Sequence, residues 1–263
     1  MKRQIQALAV FLLLGAVKLP VEEAATCHLR KAKLLTKPIS ISLRESLGQA
    51  SFAASLGGLR SLVASITYLR AYREWENINW AKVDSLFQIT TRLQPTYFNY
   101  WDEASWHMAF NAASSYLYNQ EINPMLRGKL YEEHVQRGID ILKEGLLFLP
   151  DEPRLWNSLA EIYERRVHDP RKAAECYLEV FRISHNDRYS RFAGYQLAQA
   201  SDRESWVKGY ELLKTAYDKK QRPPSVIDQL KNLEERLNIP PLKRIPDARP
   251  QMEIQHGEVG PAR

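Results

Sequence analysis

The sequence predicts an all-α fold, and three observations predict it. From about Leu47 to about Asn238 apolar residues recur at helical spacing, as in the i, i+3, i+4, i+7 stripe of Trp156, Leu159, Ala160 and Tyr163. Helix starts recur as well. Asn123-Pro124 and Asp169-Pro170 each place an N-cap before a proline at the first helical position; Ser201-x-x-Glu204 has the form of a capping box, and Ser225-x-x-Asp228 resembles one. No Asn-Gly or Asp-Gly pair marks a hairpin, and the short alternation from Ile39 to Leu43 has no second strand to pair with.

The 263 residues suffice for one large domain with a real core. Apolar residues at 44% and charged residues at 26% exclude a polytopic membrane protein, a collagen and a fully disordered chain. The net charge of +6 is mild and spread along the chain and by itself says little about nucleic acid; Arg70, Arg73, Arg165, Arg166 and Arg171 show no consistent one-base-per-repeat pattern, so nucleic acid is not an expected partner. Two cysteines exclude a disulfide-dense scaffold and a cysteine-built zinc site.

The ends differ from the middle. Met1-Lys2-Arg3 precedes an unbroken apolar run from Ala7 to Val17, stopped by Lys18 and Pro20. The run is shorter than the roughly 20 residues of a spanning helix and fits a signal-peptide core, with an uncleaved anchor reaching Leu19 and Val21 as the alternative. Export or membrane anchoring is the expected localisation. Cys27 lacks the upstream leucine of a lipoprotein site. The expected organisation is a signal peptide or anchor over 1–21, a basic linker over 22–46, a helical-repeat domain over 47–238 and a disordered tail over 239–263, where prolines accumulate.

Internal repetition organises the middle. Pro95 is followed six residues later by Trp101, and Pro150 six residues later by Trp156. A large residue stands eight positions before each proline, Phe87 and Leu142, and Gly138 and Gly145 flank the second. Small, large, small recurs at Gly209, Leu213 and Ala216, and in part at Ala173, Tyr177 and Val180. Small residues at these points let two helices approach while the large one fills the space between them.

These residues, with Trp101, Trp156, Leu159, Tyr163, Ala173 and Tyr177 as the packing positions, resemble the tetratricopeptide (TPR) repeat. The resemblance covers about two thirds of the chain. It implies a right-handed solenoid of antiparallel helix pairs, with repeats at about 62–95, 98–150, 153–186 and 187–220 and a capping helix over 224–237. The second repeat carries some twenty extra residues, and the third departs from 34 residues by one or two near His168. The block from Trp106 to Asn111 with Gly138–Leu142 also has a faint likeness to bacterial membrane-associated TPR proteins.

In a TPR array the first helix of each pair lines a concave groove. The resemblance therefore projects Asn99, Asp102, Trp106, Ala109 and Phe110 of the second repeat, and Arg154, Asn157, Glu161, Glu164 and Arg165 of the third, into a groove for a partner peptide or helix. Asn157 and Arg165 do not reproduce the TPR clamp for terminal carboxylates. The expected function is a non-catalytic scaffold or adaptor with a protein partner and no cofactor or metal. Its alternatives are a structural subunit of a membrane or envelope assembly, self-associating through other faces, and an enzyme using Glu103 and His107. Those two share a helix face at i, i+4, but a catalytic metal needs about three protein ligands, and no third is legible. Cys176 reads as a small buried core residue.

Overall fold

A computed structural model describes residues 58–249, and within them every regular element is helical. The order is α1 Arg60–Glu76, α2 Trp80–Leu93, α3 over 98–118, α4 Pro124–Phe148, α5 over 153–167, α6 Pro170–Ser184, α7 Asp187–Gln199, α8 Arg203–Asp218 and α9 Pro224–Arg236. A short 3-10 turn, Pro241–Lys243, follows. Neighbours in sequence pack side by side: α1 with α2, α3 with α4, α5 with α6, α7 with α8, and α8 with α9. Contacts also run from α3 to α5 and from α7 to α9. The apolar run at 1–21, the linker at 22–46 and Cys27 lie outside the described residues. No described helix is long and apolar enough to cross a membrane.

Local chemistry sets the helix starts. Asn123 accepts the amide of Met125 at 2.9 Å and Asp169 that of Lys172 at 3.1 Å, each with proline at the first position. Two other starts differ from the sequence expectation. At α8 the cap is Asp202, which accepts the amide of Ser205, so the Ser201-x-x-Glu204 box is not formed. At α9 the helix begins at Pro224, and Ser225 turns its hydroxyl to the Tyr195 phenol at 2.9 Å instead.

The extra length of the second pair is not an additional helix. It is absorbed by extending both partners: α4 runs 25 residues, and α3 continues through a π-helical stretch, His107–Ala112, into Ala113–Tyr118. A second π-helical turn, Tyr163–Val167, ends α5 at His168, whose φ of 57° is left-handed. A π turn holds more residues than an α turn, which accounts for the surplus near His168.

Small residues sit where helices touch. A Cβ added at Gly138 would stand 2.6 Å from the Ala109 Cβ, and one at Gly145 would stand 2.8 Å from the Trp101 Cγ. Gly209 on α8 faces the Gly194 carbonyl on α7. Phe87, Trp101, Leu142, Leu159, Tyr163, Ala173 and Tyr177 are buried in one core running from α1 to α7, with Trp156 half-buried at its margin. A second core joins α7, α8 and α9. Residues 239–249, expected in the tail, belong to it in part. Ile245 is buried, its amide donates to the fully buried Glu234 at 2.6 Å, and the Tyr217 phenol donates to Asp247. Proline-rich composition concealed one anchoring isoleucine.

Candidate functional site

The first helices of successive pairs share one face. Two adjoining cavities open along it, of about 640 and 560 Å³, with Asn157, Glu161 and Tyr189 in the walls of both. The larger begins at Asp102, Glu103 and Trp106 on α3 and crosses Arg154 and Ser158 on α5. The smaller runs past Glu164 and Arg165 to Phe192, Tyr195 and Gln196 on α7, and reaches Ser225 and Asp228 on α9.

Seven projected residues are therefore brought together: Asp102, Trp106, Arg154, Asn157, Glu161, Glu164 and Arg165. Three are not. Asn99 stands outside both cavities, its amide on the Tyr97 hydroxyl at 2.9 Å. Ala109 is fully buried against Gly138. Phe110 is buried beneath Trp106, the rings stacked at 4.2 Å, with the Arg166 guanidinium 4.5 Å from its centroid. The π-helical stretch begins at His107, so a projection with a constant 3.6-residue turn goes out of phase there. Trp106, by contrast, is 47% exposed, because Phe110 props it outward.

The sequence projection missed the α7 and α9 walls. Tyr189, Phe192, Gln196 and Gln199 stand at spacings of three, four and three, beside the buried Ala193, Gly194 and Leu197, with Gln196 itself buried at the base of the cavity. That spacing was available, but α7 carries none of the packing residues that would have set its register; the small-large-small pattern of Gly209, Leu213 and Ala216 lies on α8.

The groove carboxylates have an unusual set of partners. On other faces Asp84 pairs with Arg137, Asp202 with Arg171 and Asp187 with Lys219. For four of the groove carboxylates the holders are uncharged, while the fifth, Asp228, lies 3.9 Å from the Arg249 guanidinium. Ser158 donates to Asp102 at 2.5 Å, Asn157 to Glu161 at 2.9 Å and the Tyr177 phenol to Glu164 at 2.6 Å. Tyr68 and Tyr72 both donate to one oxygen of Glu103 at 2.8 Å. Burial raises the Asp102 pKa, and Glu103 and Glu161 push it up further, against the Ser158 bond and Arg154. Burial, and then Glu164, keep the Tyr177 phenol protonated far above its ordinary range.

Glu103 and His107 do share a face of α3, but they are built into the α1–α3 contact. The His107 ring lies between Tyr72, Trp75 and Phe87, with centroids 5.4 to 5.6 Å away, and its Nδ1 is 3.1 Å from the Asn111 amide. Burial lowers its pKa, opposed by Glu103. Among the described residues no group of three or more His, Cys, Asp or Glu side chains is placed to hold a metal ion. Cys176 is buried on α6, and burial pushes its thiol up to about 12, which disfavours a nucleophilic thiolate. No protein-family model matches the chain, and no curated protein matches it in sequence.

Proposed function

We propose that the chain is a non-catalytic interaction module, a TPR-like right-handed solenoid that binds a segment of a partner protein in its groove. The observation that carries this reading is the groove itself: α3, α5, α7 and α9, alternate helices of the chain, line one continuous surface. In TPR arrays the first helix of each pair has this role. Trp106, Tyr189, Phe192 and Tyr195 supply apolar contact area, and amides and charged groups between them supply hydrogen bonds, the mixture expected of a peptide-binding surface. The 1–21 segment would export the module or tether it to a membrane. Glu103, committed to two phenols, and His107, enclosed by three rings, fit a structural role better than acid–base work.

The test is site-specific photo-crosslinking in the native cells. A crosslinking residue at Tyr189 or Gln199 yields one dominant partner adduct, while the exposed Glu132 on α4 yields none. Combined Trp106→Ala and Asn157→Ala substitution, which removes an aromatic contact and a hydrogen-bonding amide without changing the charge of the groove, abolishes the adduct and leaves the helical signal intact. Equal adducts from Glu132 refute the groove, and adducts only between copies of the chain favour the structural-subunit alternative.

A further inference from the structure

We infer that the groove is built for a basic, extended segment of its partner, an assignment that rests on the groove reading above. Five carboxylates line the two cavities, Asp102, Glu103, Glu161, Glu164 and Asp228, against three guanidiniums, in a chain whose net charge is +6; Asp228 also lies 3.9 Å from Arg249, so the acidic character rests on the other four. The groove therefore opposes the sign of the molecule that carries it.

The positive groups are also partly spent. Arg154 lies 4.3 Å from the Phe98 centroid and Arg188 4.9 Å from that of Phe192. The carboxylates of Asp102, Glu103, Glu161 and Glu164 are held in place by serine, tyrosine and asparagine donors, which orient them without neutralising them. Asp102 is half-buried with Glu103 and Glu161 beside it in the same wall; burial first, and then those two carboxylates, raise its pKa, and a lysine or arginine placed among the three offsets both effects.

Aromatic rings stand beside the carboxylates. Trp106 flanks Asp102 and Glu103, and the half-buried Tyr189, backed by Tyr177 and Phe192, lies with Glu161 in the walls of both cavities. Ring faces next to carboxylates recognise a cation and its alkyl stem together. The same charge pattern rejects nucleic acid, phosphopeptides and free C-terminal carboxylates. Three interhelix steps from α3 to α9 span about 27 Å, which is about eight residues of extended chain.

The experiment uses the full-length chain in non-ionic detergent and two fluorescent 12-residue peptides. Both alternate Ala and Tyr with four charged positions, Lys and Arg in one and Glu in the other. The basic peptide binds at least about tenfold more tightly, and its affinity falls with added salt. Combined Asp102→Asn and Glu161→Gln substitution removes most of that preference, while Glu132→Gln with Glu133→Gln on α4 does not. A photo-crosslinker at Tyr189 joins the basic peptide to the groove.

Equal binding of both peptides, with Trp106→Ala weakening each, overturns the charge assignment and leaves the groove reading standing. Binding of either peptide that is indifferent to Trp106→Ala overturns the groove reading as well. A Tyr189 adduct to residues 30–44 of the same chain that persists in excess peptide overturns the partner assignment, because the chain's own basic stretch then holds the site.

Discussion

Gly145 on α4 lies directly against the indole of Trp101 on α3: a Cβ at that glycine would stand 2.8 Å from the Trp101 Cγ and 2.9 Å from Cδ2. Trp101 is 1% exposed, so its ring has nowhere to retreat. Gly145→Ala is therefore expected to destabilise the chain by about 1–3 kcal/mol through overpacking. Gly128 on the same helix meets nothing within 4 Å. There, Ala reduces the freedom of the unfolded chain, and stability rises by about 0.5–1 kcal/mol. Thermal or urea unfolding of the two variants checks the opposite signs, and equal effects would refute the close-approach account.

Each of three tryptophans closes the same bond at a helix start. The indole N–H of Trp101 donates to the Pro95 carbonyl at 2.9 Å, that of Trp156 to the Pro150 carbonyl at 2.9 Å and that of Trp206 to the Ala200 carbonyl at 2.6 Å. Trp→Phe at any of the three is expected to cost about 1 kcal/mol for the lost bond. Trp101→Phe costs most, since its bond is buried and the freed carbonyl has no access to water. Denaturant titration of the three single variants gives the ranking.

That bond also explains what was and was not legible. The sequence shows two Pro-to-Trp steps and suggests that they mark repeat register. The third step has Ala200 in place of proline, and it opens α8, the second helix of its pair. The acceptor is a carbonyl, which every residue has, so the step marks a helix start and not a position in the repeat. Helix boundaries were readable because caps and apolar spacing act locally. Trp106, Arg154, Asn157, Glu161, Glu164 and Arg165 were readable because helical spacing puts them on one face of their own helices. Phe110 was misplaced because the Trp106 ring lies over it at 4.2 Å, a side-chain stacking that spacing alone does not show. Tyr189, Phe192 and Asp228 were missed because their helices carry no repeat signature.

Acid should loosen the α1–α3 contact. His107 is buried among rings, and its pKa is lowered in the folded chain. Below the ordinary histidine range, near 6.5, the unfolded chain binds this proton more readily than the folded one. The stability that neutral His107 permits is therefore present above that range and is lost as pH falls through it. Asp102, whose pKa is raised, acts in the opposite sense at lower pH, where proton uptake favours the folded chain. Melting temperature is expected to fall between pH 7.5 and 5.5, and His107→Gln is expected to flatten that slope. An unchanged slope would exclude His107 as its source.

The Cys176 thiol is expected to be silent. It is 4% exposed, and burial pushes its pKa up to about 12, so little thiolate forms at pH 8 and little reagent reaches it. In a Cys27→Ser background, a colorimetric thiol reagent reports almost no reaction until denaturant is added. Rapid labelling of the folded chain would require an opening of α6 that its packing does not suggest.

The segment after α9 holds that helix by one apolar anchor and a set of polar ties. Ile245 is 3% exposed, and its amide and carbonyl are both engaged, by Glu234 at 2.6 Å and by the Lys231 ammonium at 2.5 Å. Glu234 is itself fully buried; its Oε1 accepts the Ile245 amide, while its Oε2 makes no hydrogen bond and is offset by the charge of Lys231 3.2 Å away. Ile245→Ala removes the apolar anchor and is expected to cost about 2–4 kcal/mol. Glu234→Ala leaves the Ile245 amide and the Lys231 ammonium short of a partner, and is expected to cost at least about 2 kcal/mol. The two changes act on one contact, so the double variant should lose less than the sum. Hydrogen exchange separates this account from a loosely attached tail. If the strap caps the second core, Ile245→Ala speeds exchange at Leu230 and Leu233 and leaves α3 and α4 unchanged. No acceleration in α9 would mean that the helix is held by α8 alone.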